Sequence, residues 1–152
     1  MDYVLELVVI PVSDVDRAKH FYAEQMGFVV DVDHRPSEDF RVVQMTPPGS
    51  ACSITIGKGI AHMEPGSLNG LQISVADIHA AHAELLGRGV PVSAVQHHDG
   101  TGFVDGKGGD YNSFVFFDDP DGNGWAVQES PGSGRPLKAR SPPDDRKAGR
   151  TD

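Results

Sequence analysis

Apolar residues run in short alternating bursts along this chain, and twice the period changes from two to between three and four. The stretch Ile10-Pro11-Val12-Ser13-Asp14-Val15-Asp16-Arg17-Ala18 aligns with Ile73-Ser74-Val75-Ala76-Asp77-Ile78-His79-Ala80-Ala81. Each copy opens on a β-rich run and continues at helical spacing. In the first, Val15, Ala18, Phe21, Tyr22 and Met26 share a face and Gly27 ends it; in the second, Ile78, Ala81, Leu85 and Leu86 share a face before Gly87 and Gly89. Ser13 with Asp16 resembles a capping box, and Asp14 and Asp77 set negative charge at each positive helix end. Three strand-like pieces follow each helix, at 28–33, 40–45 and 51–57, then at 90–96, 113–117 and 125–129. The turns Thr46-Pro47-Pro48-Gly49-Ser50 and Asp118-Asp119-Pro120-Asp121-Gly122-Asn123-Gly124 separate strands within the copies. The chain therefore reads as an α+β fold of two tandem βαβββ modules, 1–66 and 67–130. They are expected to form a curved mixed sheet around a cleft, with the helices on the outer face.

Composition narrows the partners. The segment from Pro131 holds six of the 13 basic residues but three of the 22 acidic ones, leaving seven against nineteen, a net of −12, in the body. Such a body repels phosphate backbones, so nucleic acid is excluded, while neutral or cationic small molecules fit. Residues 131–152 are proline-rich and nearly without large apolar side chains, so they are expected to be disordered. No apolar run approaches the ~18 residues of a membrane span, Met1-Asp2-Tyr3 lacks the basic flank of a secretory signal, and Cys52 is the single cysteine. A cytoplasmic domain without membrane partners is the expectation.

Val9-Ile10-Pro11-Val12-Ser13-Asp14 running into Ala18 and Phe21-Tyr22, then Val75-Ala76-Asp77-Ile78, and Phe117 through the Asp-Pro-Asp-Gly-Asn-Gly turn to Trp125 resemble the vicinal oxygen chelate superfamily. This is the glyoxalase, bleomycin-resistance and extradiol-dioxygenase group, and the likeness spans residues 4–129. Its enzymes hold one divalent metal in the cleft, each module giving a ligand from its first and its last strand. The resemblance places these ligands at Leu7, Gly70, Ser53 and Ala126. Leu, Gly and Ala cannot coordinate, and a neutral serine hydroxyl is a weak ligand, so no metal and no other cofactor is expected. A register slip of one would offer Glu6, but would turn every side chain of the strand to the opposite face.

Alternation then lines the cleft with Leu7, Val9, Ser53, Thr55, Gln72, Ser74 and Gln128, an apolar wall carrying hydroxyls and amides. Gln72 and Gln128 are candidate readers of a ligand, or partners of each other. His97 and His98 lie at the cleft mouth with His34 opposite, and one of them could act there as acid or base. His79 and His82, three apart on a helix, lack a third ligand at zinc spacing. The glycine-rich stretch Asp99–Asn112 has neither P-loop nor EF-hand spacing and could cover the cleft with Phe103, Val104 or Tyr111. Trp125 and Cys52 fall on the packing side. The expected function is binding of a small organic molecule without metal. The competing expectation is a metal-dependent lyase, isomerase or dioxygenase using ligands such as the rim histidines. A homodimer is expected, because duplicated modules expose long sheet edges.

Overall fold

The structure is a computed structural model and describes residues 1–132. Apart from Pro131 and Gly132, the expected disorder of residues 131–152 lies outside the described residues. The strands divide into two sheets, one in each repeat. The first joins β1 (Leu7–Val9), β4 (Ser53–Lys58), β3 (Phe40–Thr46) and β2 (Val29–Ser37) in that order, with β1 parallel to β4. The second joins β5 (Leu71–Val75), β9 (Gly124–Glu129), β8 (Phe114–Asp118), β6 (Gln96–His98) and β7 (Phe103–Asp105), with β5 parallel to β9. Helix α1 (Val15–His20) follows β1 and α2 (Ile78–Gly87) follows β5, which gives the α+β arrangement that the repeat predicts.

Several local expectations change for physical reasons. Asp14, not Ser13, caps α1, accepting from the Arg17 N–H at 3.0 Å; the Ser13 hydroxyl instead donates to Asp121 at 2.5 Å. The predicted first helix is α-helical only to His20. Phe21–Gln25 continue as a π turn, closed by Met26 N–H on the Phe21 carbonyl, and this sets Phe21 and Tyr22 into the core. The predicted strand at 90–96 joins its ladder only at Gln96. Pro91 has no N–H to give, and the Ser93 hydroxyl takes the Phe116 N–H that a strand carbonyl would accept. The glycine-rich stretch contributes β7, which pairs antiparallel with β6.

One apolar core runs through both modules: Ile54, Ile56, Val43 and Met45 from the first sheet, Val115, Phe117, Trp125 and Val127 from the second, with Ala18, Phe21, Tyr22, Ile78 and Leu85 from the helices. A buried polar latch sits inside it. Trp125 Nε1 donates to Tyr22 Oη at 3.0 Å, and Tyr22 Oη donates to Asp119 Oδ2 at 2.8 Å. Asp119 also accepts from Asp121 N, Asn123 N and Asn123 Nδ2. Asn123 Nδ2 donates in addition to the Pro11 carbonyl at 2.8 Å, so the β8–β9 turn grips the β1–α1 junction. Gly66 between the modules closes the fit. Its φ is +82°, and a Cβ there would lie 2.0 Å from the Asp121 carbonyl oxygen. Burial, with the adjacent carboxylate of Asp119, holds the Tyr22 phenol far above its usual range, so it stays a donor at every working pH.

Replacing the carboxylate strands four donors in the interior, so Asp119→Ala is expected to cost about 3 kcal/mol or more in urea unfolding. Asp16→Ala, on an 81% exposed side chain at the outer end of the Arg41 ion network, should move the midpoint far less.

Candidate functional site

Each sheet packs one face on the core, and among the described residues no helix covers the other. In β1, Val8 sits opposite Ile54, so Leu7 and Val9 fall on the open face. Leu7 is across from Ser53 and Val9 from Thr55, and Gln44 on β3 is opposite Thr55. The Thr46 hydroxyl donates to the Asp31 carboxylate and lies 2.7 Å from the Ser53 hydroxyl. Because Thr46 spends its one proton on Asp31, Ser53 must donate to Thr46. Thr55 is 4% exposed and its hydroxyl has no hydrogen-bond partner among the described residues.

In the second sheet Leu71, Ile73 and Val75 pack on the core, which leaves Gln72 and Ser74 on the open face, both solvent-exposed. Gln72 is opposite Ala126 and Ser74 opposite Gln128. The pairing that matches Leu7 with Ser53 is thus Gln72 with Ala126, two residues beyond Gly70, which precedes β5. The two glutamines meet. Gln72 Nε2 donates to Gln128 Oε1 at 2.9 Å, and Gln128 Nε2 donates to the Tyr111 carbonyl at 2.7 Å. That carbonyl can only accept, which fixes both amides: Gln128 faces it with nitrogen, and Gln72 keeps its oxygen for the open side.

The Tyr111 contact anchors the glycine-rich stretch. Tyr111 has a positive φ of 59°, Lys107 pairs with Glu129 at 3.1 Å, and Asn112 bonds the His98 backbone twice. The Ile78 N–H and Lys107 hold the Glu129 carboxyl below its usual range. Asp99 is pulled down to about 2 by the Thr101 hydroxyl and the Thr101 and Gly102 N–H groups. The paired histidines part company. His98 lies opposite Phe103 with their rings 5.2 Å apart, on the same side as Gln96 and Asp105. His97 points to the other face, its Nδ1 2.8 Å from the Gly106 carbonyl. Sequence reasoning missed the rings that His98 joins: Phe103, Phe114 and Phe116 cluster on the open face of the second sheet. The alternation of Phe114 and Phe116 with core Val115 and Phe117 was the available signal.

A cavity of about 550 Å³ opens elsewhere, between the start of α1 and the β2–β3 hairpin, lined by Asp14, Asp16, Arg35, Arg41 and Lys58 among others. Arg41 there is committed to Asp16 and Asp33, which hold it firmly protonated, while Arg41 and Lys19 together keep Asp33 well below the usual carboxylate range. None of the open-face residues lines it.

The family model of the Glyoxalase/Bleomycin resistance protein/Dioxygenase superfamily matches residues 4–127. The chain belongs to this superfamily. Among solved structures, this superfamily member is similar to TnmS3, an antibiotic binding protein from Streptomyces sp. CB03234, at 32% identity and a TM-score of 0.69, over 85% of this chain and 97% of that one. A glyoxalase/bleomycin resistance protein from the same organism is 33% identical, with a TM-score of 0.65, over 82% and 99%. A superfamily member from Sphaerobacter thermophilus DSM 20745 is 26% identical with a TM-score of 0.68, over 85% and 98%. No curated protein matches.

The superfamily's metal has no fitting donor set here. Leu7 and Ser53 across one strand pair, and Gln72 and Ala126 across the other, bring no carboxylate or imidazole. Among the described residues no three His, Cys, Asp or Glu side chains converge.

If Gln128 carries the loop, Gln128→Leu should raise amide exchange over residues 106–112 by about tenfold, since one hydrogen bond of ~1–1.5 kcal/mol is lost. Gln72→Leu should leave exchange in that segment near its original rate.

Proposed function

We propose that this superfamily member binds a small organic molecule against the open faces of its sheets and sequesters it without a metal ion. The observation that carries the reading is the donor set just described: neutral or aliphatic side chains occupy the strand positions where the family's enzymes place metal ligands. Leu7 and Val9 supply apolar wall, while Ser53 and Gln72 supply neutral hydrogen-bonding groups, which suits binding better than proton abstraction or Lewis-acid chemistry. The likeness to an antibiotic binding protein supports an antibiotic-like ligand. His98 joins this surface in the proposal, and His97, turned to the opposite face, does not. No helix among the described residues is long and apolar enough to cross a membrane, and a cytoplasmic location is part of the same proposal.

We also propose a homodimer. Among the described residues β1, β2 and β7 end the strand order of their sheets, and Val29 and Val32 on β2 are exposed. A second copy would cover such edges.

A thermal-shift screen of natural-product antibiotics against the full chain, with and without EDTA, tests the function. A hit should stabilise the protein equally in both conditions. In calorimetric titration with that hit, Leu7→Ala and Gln72→Leu should each weaken binding by about tenfold. Loss of binding in EDTA, or stabilisation by Ni, Zn, Mn or Fe(II) alone, would replace this reading with the metal-dependent one. Light scattering on the same sample should give the mass of two chains.

A further inference from the structure

We propose that the open face of the second sheet is a receptor for a flat, cationic aromatic amine, a ligand class that rests on the binding function proposed above. Three independent features of the face lead there. The first is its rings. Phe114 and Phe116 stand parallel on β8, with centroids 5.9 Å apart and planes 10° apart. Phe103 crosses both nearly at right angles, at 5.6 and 5.0 Å, and is still 49% exposed. A half-exposed phenylalanine braced by two others offers a rigid aromatic wall that loses little entropy when a planar molecule lies on it.

The second feature is charge. Alternation along β8 and β7 puts Asp118 beyond Phe116 and Asp105 beyond Phe103, on the same side as the rings. Neither carboxylate forms a salt bridge among the described residues; Asp105 accepts one neutral bond from Gln96. The strand positions of this face carry no lysine or arginine. Ring faces flanked by carboxylates attract a cation and repel an anion.

The third feature is hydrogen-bond polarity. The Tyr111 carbonyl orients Gln128, Gln128 orients Gln72, and the oxygen of Gln72 is left facing outward as an acceptor. The other module repeats the theme, since Ser53 gives its proton to Thr46 and retains only lone pairs. The outward oxygen of Gln72 is thus an acceptor set beside the rings, suited to a ligand that donates N–H bonds.

Proflavine and acridine orange separate this claim from general stickiness. They share one cationic three-ring core with the same ring N–H, and methylation removes every exocyclic amine N–H from acridine orange. Fluorescence anisotropy with the full chain should show proflavine bound about tenfold more tightly. Gln72→Leu should erase that preference, and Phe103→Ala should weaken both dyes, each variant keeping the parent circular dichroism. Raising the salt concentration should weaken both dyes, and the double variant Asp105→Asn/Asp118→Asn should reduce that salt dependence. Equal affinity for the two dyes, still dependent on Phe103, would overturn the amine reading and leave small-molecule binding intact. Binding of neither dye while the antibiotic screen succeeds would overturn the aromatic-cation class itself. A Phe103→Ala variant that halves the mass seen by light scattering would assign the rings to a second copy of the chain and also overturn the proposal.

Discussion

Asp119 carries a carboxyl group into the interior, 5% exposed, where the first module's Tyr22 meets the turn between β8 and β9. Burying a carboxylate is unfavourable unless several donors replace water. Here Tyr22 arrives from the first module, Asn123 and the backbone of the β8–β9 turn arrive from the second, and Asn123 reaches back to the Pro11 carbonyl. Around this polar centre Trp125 lies parallel to Phe117 at 5.9 Å, and Tyr22 stacks on Phe28. The hydrogen bonds supply direction and the rings supply buried area. Together they fix how the first module's helix sits over the second module's sheet.

With the core face of each sheet committed in this way, the opposite faces are free to differ from module to module. The first presents Leu7, Val9 and a chain of hydroxyls ending on Asp31; the second presents rings, glutamines and carboxylates. Neither brings three His, Cys, Asp or Glu side chains together among the described residues, while the superfamily's fold is kept. The side chains that do converge offer shape, stacking and hydrogen-bond direction, on which the proposed binding function rests.

The repeat, both helices, the turn at Asp118–Gly124 and the superfamily were legible in the sequence, because each depends on local period or on a local turn preference. Asp14 and Asp77 cap their helices through contacts three residues away, which is also local. What escaped was set at long range. Ser13 looked like a cap because its partner, Asp121, is 108 positions on. The meeting of Gln72 and Gln128 was foreseen as one of two outcomes, but not that Tyr111 orients them. The second module's register moved by two from a count over the repeat, which keeps the face and changes the residue. The phenylalanine cluster depends on β7, a strand hidden in a stretch whose glycines masked Phe103-Val104-Asp105.

Native-state hydrogen exchange tests most directly whether the Asp119 latch makes the modules one unit. The Ile56 amide in β4 and the Val127 amide in β9 should exchange through the same global opening and share one free energy in the parent protein. In Asp119→Ala both should lose protection by the same factor. Retention of protection at Ile56 while Val127 loses it would mean that the sheets open separately, and that the buried carboxylate does not join them.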